Sequence, residues 1–234
     1  PLVTGQVQLR FISFFLGVKD MNTELAEFLG IMFGDGCLSR NAKARMIYIC
    51  GHKVDDLLYH KTVTLPLLKK LFNKDAKIGF RTKENALFIK FSDKEIFNFL
   101  KQYLPVGRKY ESMEIPYKIL NKKEYFFAFF RGLINTDGCV VFSKQHRKEA
   151  YYPRIELTSK SKEFLLTLLT ELKKYSFYGS VSHKGKQNYR LELPGRKNLQ
   201  QYIDLINFHN SKIMKKIKKK EASQVGFEFA IEMP

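Results

Sequence analysis

Phe28–Gly36 reads FLGIMFGDG, and Phe130–Gly138 reads FRGLINTDG. Extended outward, Glu24–Leu38 (ELAEFLGIMFGDGCL) aligns with Phe126–Val140 (FFAFFRGLINTDGCV) without a gap, 102 residues apart, and six of the fifteen positions are identical. The identities are Ala26/Ala128, Phe28/Phe130, Gly30/Gly132 and the run Asp35-Gly36-Cys37 against Asp137-Gly138-Cys139. Such self-similarity marks a duplicated structural unit and ranks above every other signal.

The residues after each copy repeat too. After the first come an alternating stretch at Arg45–Cys50, an amphipathic run over Asp55–Phe72, strand-like pieces at Ala76–Thr82 and Ala86–Phe91, and a helical run at Lys94–Tyr103. After the second come Arg154–Thr158, a helical run at Lys162–Lys174, strand-like pieces at Phe177–His183 and Tyr189–Leu193, and a helix near Lys197–Ile206. Periods of two and 3.6 alternate in the same order, so each half is expected as αββαββα in an α+β fold. The expected boundaries are an N-terminal extension of open role (1–20), a first half (21–106), a linker (107–124), a second half (125–211) and a basic C-terminal tail (212–234).

Each repeated segment reads as a helix, the first capped by Thr23 with Glu27 in its first turns. Ala26, Gly30 and Gly34 then share one face, as do Ala128, Gly132 and Thr136. Glycine inside a helix costs about 0.5–1 kcal/mol against alanine. A stripe of small residues offsets that by letting two helix backbones approach closely. Asp35 and Asp137 sit at the C-terminal ends, each before a glycine suited to a left-handed cap. A helix C-terminus carries partial negative charge and disfavours an acid. If the stripes pack together, two carboxylates and two negative helix ends crowd one place, and bound divalent cations are the simplest compensation. Oxygen-only ligands without a His or Cys cluster favour Mg²⁺.

The 234-residue chain carries 41 Lys and Arg against 23 Asp and Glu, a formal charge of +18. Removing the six lysines of Lys212–Lys220 (KIMKKIKKK) lowers that only to +12, so the excess is spread along the chain. Spread positive charge points to a nucleic-acid surface, a solvated lysine-rich exterior being the alternative. A 44% hydrophobic, 14% aromatic composition excludes a disordered chain. The apolar run Phe11–Val18 is too short to span a bilayer and nothing resembles a signal peptide, so no membrane partner is expected. Three cysteines without CxxC spacing fit partly buried thiols of a reducing, intracellular and cytoplasmic setting, an organellar origin included.

Phe28–Gly36 and Phe130–Gly138 resemble the two motifs of the LAGLIDADG homing endonucleases, and the resemblance extends over roughly residues 21–215. Both copies depart from the family's letters at several positions but keep the small stripe, the acid and the following glycine. Two copies in one chain resemble the pseudo-symmetric, monomeric branch encoded in archaeal introns and inteins. The resemblance implies the LAGLIDADG homing endonuclease fold, with two saddle-shaped antiparallel β-sheets over a double-stranded DNA target. It implies Mg²⁺-dependent hydrolysis of both strands with 3′ overhangs, Mn²⁺ or Ca²⁺ substituting in binding. Asp35 and Asp137 would bind metal, aided by the carbonyls of Gly34 and Thr136. Lys109 and Lys212, 103 residues apart, match the place of the family's peripheral lysines, with Lys53 and Lys160 as second choices.

Alternation leaves Met46, Tyr48, Cys50, Phe88 and Lys90 facing outward in the first half, and Arg154, Glu156, Thr158, Arg190 and Glu192 in the second. Such a face suits base-edge reading. Arg40, Lys43, Arg81, Lys83, Lys144, Arg147, Lys148, Lys184 and Lys186 fall in connecting turns and are expected on phosphates. The competing expectations are an RNA maturase, with intron RNA as partner, and a non-cleaving DNA-binding protein of the same fold. Gly34–Ser39 only partly mimics a dinucleotide fingerprint and follows a helix instead of a strand. His209-Asn210 lacks the context of either a splice junction or an HNH nuclease.

Overall fold

A computed structural model of the chain describes residues 20–40, 45–109, 113–145 and 148–222. The first half runs α1 (Thr23–Gly34), β1 (Gly36–Arg40), β2 (Arg45–His52), α2 (Leu57–Tyr59), a π-helical turn (His60–Thr64), α3 (Leu65–Phe72), β3 (Ile78–Phe80), β4 (Ala86–Ser92) and α4 (Lys94–Leu100). A short α5 (Tyr117–Leu120) lies in the linker. The second half runs α6 (Lys123–Asp137), β5 (Gly138–Gln145), β6 (Lys148–Ser159), α7 (Lys162–Lys173), β7 (Ser180–Gly185), β8 (Asn188–Pro194) and α8 (Arg196–Leu205), followed by α9 (Ser211–Ala222). The two antiparallel sheets have the same order, β1-β2-β4-β3 and β5-β6-β8-β7. The repeated αββαββα order of the sequence is therefore the order of the fold.

The amphipathic run expected over Asp55–Phe72 is helical from Leu57 to Phe72, interrupted by the π turn. Pro66 follows that turn and supplies no N–H to the ladder, which is where α-helical bonding is cheapest to interrupt. Alternation assigns the sheet faces correctly. Ile47, Ile49, Leu87, Ile89, Ile155, Leu157, Leu191 and Leu193 are all buried against helices. Aromatic packing dominates the interior, with Phe33 of α1 edge-on to Phe129 of α6 at 5.1 Å and Phe130 against Tyr202 at 5.9 Å. One continuous core runs through both halves and includes residues of α1, α6 and every flanking helix of eight or more residues.

Three sequence expectations change. The cap of α1 is Asn22, whose side chain accepts from Leu25 N at 2.8 Å, and Thr23 is the first helical residue. Asn outranks Thr as a cap because its carbonyl reaches the third N–H without β-branch crowding. Gly36 and Gly138 are not left-handed caps, since neither has a positive φ. They are glycines because each strand folds straight back over its own helix. A Cβ at Gly36 would lie 2.4 Å from Met32 Cα, and one at Gly138 would lie 2.7 Å from Ile134 Cα. The basic tail begins as a packed helix: α9 buries Ile213 and Ile217, four apart on one face, and turns its lysines outward.

Candidate active site and nucleic-acid face

The two motif helices cross through their small residues. A Cβ on Gly30 would lie 2.0 Å from the Phe129 carbonyl oxygen, and one on Gly132 would lie 2.2 Å from the Glu27 carbonyl oxygen. Backbone therefore touches backbone, and the glycines' helix cost is repaid in close packing. At the far end from the acids the crossing is fastened by charge. Glu27, buried on α1, accepts from Arg131 Nη2 of α6 at 2.7 Å and pairs with His209 Nδ1 at 2.8 Å. Burial alone would raise the Glu27 carboxyl, but the bonds from His209 and Arg131 outweigh it and hold the group below its ordinary value.

At the near end the same crossing brings the acids together. Asp35 caps α1, and Asp137 is the last residue of α6. Burial first, then the neighbouring carboxylates of Asp137 and Asp56, push Asp35 up to about 8. Asp137 keeps open surface at the mouth of the site, yet protein atoms crowd its carboxyl enough to raise it, with Lys109 opposing. Two neighbouring acids both raised by burial, one of them also by its carboxylate neighbours, mark a place that lacks positive charge.

Lys109 supplies part of that charge. Its segment is fixed by a bridge from Val106 to Leu38 and by Gly107 N donating to Leu38 O at 2.8 Å. Its ammonium then donates to the carbonyls of Gly34 and, at 3.0 Å, Gly36, at the negative end of α1. Burial pulls the Lys109 pKa down, while Asp137 and Asp35 pull it up. Lys212 is placed differently. It sits near Thr136 and Gly138, but its Nζ lies 3.2 Å from Asp55 and 4.0 Å from Asp56, across in the other half. Buried Asn210 holds this junction, bonding Asn135 through N–Oδ1 (3.1 Å) and Nδ2–O (3.0 Å), and Asp56 Oδ1 at 3.3 Å. Asp55, Asp56, Asn135 and Asn210 are site residues that the sequence alone does not single out. The only signal is the Asp-Asp pair before α2 and an asparagine two residues ahead of the second acid.

The remaining expected contacts scatter. Lys53 is exposed in the turn after β2, its Nζ 5.7 Å over the Phe80 ring, and Lys160 is exposed beyond β6. Both second-choice lysines stand at strand ends that open into surface turns. Tyr48, Lys90, Arg154, Thr158 and Arg190 face outward from the sheets as expected, with the Lys90 ammonium 5.5 Å over the Tyr48 ring. Glu156 lies on that face too but is buried beneath arginine side chains. Lys83, Lys184 and Lys186 are exposed, Lys184 donating to Thr158 Oγ1 at 3.1 Å, and Arg81 is paired with Glu84 at 2.9 Å. Lys43 and Arg147, and the side chains of Arg40, Lys144 and Lys148, lie outside the described residues. All three cysteines are free and stand on the outward faces, Cys37 and Cys50 partly buried and Cys139 exposed.

Residues 124–207 match the LAGLIDADG-like domain family. I-DmoI in complex with DNA and Mn superposes with a TM-score of 0.55 at 17% identity, over 79% of this chain and 96% of that one. The chain has the LAGLIDADG fold. Full-length DUF199/WhiA from Thermatoga maritima shares it, with a TM-score of 0.56 at 18% identity over 92% of this chain and 66% of that one. Two curated proteins of Methanocaldococcus jannaschii are similar in sequence. They are the replication factor C small subunit, 28% identical over 205 residues, and a probable translation initiation factor IF-2, 27% identical over 213 residues. The matches take in 85% and 84% of this chain but only 10% and 16% of those proteins' length.

Proposed function

We propose that this LAGLIDADG chain is a monomeric, site-specific DNA endonuclease that uses divalent cations to hydrolyse both strands of a long duplex target, leaving 3′ overhangs. The observation that carries the reading is the meeting of Asp35 and Asp137 at two helix carbonyl ends, where burial and the neighbouring Asp137 carboxylate hold back the charge of Asp35. The site fits Mg²⁺. Its acidic donors are all oxygen, and the ammonium of Lys109 on the Gly34 carbonyl shows that this oxygen draws a cation. Asp35, Asp137 and the carbonyls of Gly34 and Thr136 would hold the metal, which supplies an activated water and neutralises charge on the scissile phosphate. Lys109 contributes a second, fixed positive charge at the phosphate. The outward sheet faces and the lysine-bearing turns bind the duplex.

Two comparisons support the reading. I-DmoI structures hold DNA with Mn or Ca, and a variant holds its target DNA in the presence of Mg. The same segment of about 200 residues recurs inside two proteins named for unrelated tasks, replication and translation, of which it is a small part. Recurrence in unrelated hosts is the mark of a mobile insertion and favours homing over a resident regulator. The likeness to WhiA over 92% of the chain favours a second reading, a DNA-binding protein of this fold that does not cut. To separate them, a site is selected from a random duplex library and incubated with Mg²⁺. The expected result is double-strand cleavage by the wild-type chain, with Asp35→Asn and Asp137→Asn binding the site without cutting it. Tight binding with no cleavage in Mg²⁺ or Mn²⁺ would establish the second reading instead.

A further inference from the structure

The centre of the second sheet carries a short repeat of its own. β6 contains Arg154-Ile-Glu-Leu157, and β8 contains Arg190-Leu-Glu-Leu193. Alternation buries Ile155, Leu157, Leu191 and Leu193 and sends both arginines and both glutamates to the outward face. The register sets Glu156 opposite Glu192, with Arg154 opposite Pro194 and Arg190 opposite Thr158. Like charges directly opposed on a ladder are destabilising. Here each is flanked by arginine on both sides. Arg190 Nη1 lies 3.3 Å from Glu156 and its Nη2 3.3 Å from Glu192, while Arg154 Nε lies 3.7 Å from Glu156 and its Nη1 3.9 Å from Glu192. Each guanidinium thus spans both carboxylates, one from either end of the pair.

This quartet is electrically neutral, so it adds nothing to the general pull on phosphates. Nor does cohesion of the sheet require it, because well-packed apolar residues usually serve as well as a partly buried ion network. What it does provide is orientation. Two long side chains that would otherwise sample many rotamers are drawn to one carboxylate pair, Arg190 by a hydrogen bond to Glu156 and Arg154 by longer ion-pair contacts. Of the four contacts only Arg190 Nη1 to Glu156 is a hydrogen bond, and both arginine side chains keep part of their surface open, 27% for Arg154 and 30% for Arg190, which leaves terminal N–H groups for a ligand. A guanidinium on a major-groove face matches the O6 and N7 acceptors of guanine. Among the described residues the first sheet has nothing equivalent. Its matching positions are Met46, Tyr48 and Cys50 on β2 and Phe88 and Lys90 on β4.

We infer that Arg154 and Arg190 determine specificity, each reading a guanine in the half-site under the second sheet, with Glu156 and Glu192 as the residues that position them. The inference rests on the DNA-binding part of the function proposed above. The two halves then read chemically different half-sites, and closely spaced guanines belong to the one covered by residues 138–194.

The test uses the full chain in Ca²⁺, a random duplex library, and the variants Arg154→Lys, Arg190→Lys, Glu156→Gln and Glu192→Gln. Lysine keeps the charge and loses the fork, so each arginine variant should bind random duplex as the wild type does. On the selected site each should lose about tenfold or more of its preference for guanine at one base pair, a different one for each arginine. Each glutamine variant should weaken the guanine preference while binding random duplex as well as or better than before. Variants that keep every base preference, or that lose affinity equally on all sequences, would overturn the inference and reduce the quartet to a sheet clamp or a phosphate contact. A wild-type chain that selects guanines under the second sheet but never cuts would sink the nuclease reading alone. A chain that binds no duplex would sink both.

Discussion

The side chain that Gly34 lacks would place a Cβ 2.0 Å from the hydroxyl oxygen of Thr136, so the last turns of the two motif helices touch directly beneath the paired acids. Separation of the carboxylates is thus set by main-chain contact farther up the crossing. Gly30→Ala meets the Phe129 carbonyl, which cannot rotate away. We expect about 1–3 kcal/mol of lost stability by urea titration. Cleavage should fall by more than duplex binding, because the helices must part where the acids meet while the sheets remain.

Asp35 makes metal-free stability depend on pH. Its carboxyl is ordinary at 3.8 and rises to about 8 in the fold. The folded state therefore favours the protonated acid, a stabilisation fully present below about pH 4 and lost as pH climbs to about 8. Asp35→Asn removes the penalty. Thermal melts in EDTA should show the variant several degrees more stable than wild type at pH 8 and equal to it near pH 4. Adding Mg²⁺ at pH 8 should raise the wild-type Tm and leave the variant's unchanged. A variant less stable than wild type at pH 8 in EDTA would contradict the account.

The two lysines are not used alike. Lys109 is turned onto the Gly34 carbonyl, whereas Lys212 is held by Asp55 at 3.2 Å. The two strands should accordingly be cut at unequal rates, seen with separate end labels on one duplex. Asp55→Asn releases Lys212 and should narrow the difference, while Lys109→Met should slow both cuts, since its charge acts on both acids. Equal rates in the wild type would refute this division of labour.

Binding should weaken linearly in log–log form as salt rises, with each phosphate contact adding about 0.9 to the slope. Lys184→Ala, at an exposed strand-end lysine, should lower the slope by about one, and Arg154→Lys should leave it unchanged.

Much of the fold and the acid pair is legible in the residues because repetition removes ambiguity. A single Gly34-Asp35-Gly36 is a turn, but the same acid after the same stripe 102 residues later demands a partner. The sheet faces come from the two-residue period alone. Lys109 is reachable because its stretch resembles the place where the family keeps a lysine, with Lys212 at the corresponding place 103 residues on. The junction around Asp56, Asn135 and Asn210 is not legible, for it joins the two halves and has no copy within either. The pairing of Arg154 with Glu192 needs the β6–β8 register, which no local pattern states. Gly36 and Gly138 escape a local reading for a related reason. What excludes a side chain there is a residue four earlier, across the helix-to-strand return, and not the backbone angle.

Cys37, Cys50 and Cys139 all stand on the faces that a duplex would cover. Among the described residues, no thiol stands on the opposite, helix-covered side. The chain thus carries its own chemical footprint: alkylation should report occupancy of the outward sheet faces half by half, with no label introduced. The same placement makes the surface vulnerable, since an oxidant that modified Cys139 would add bulk and charge opposite Glu156, on the face proposed to meet the duplex.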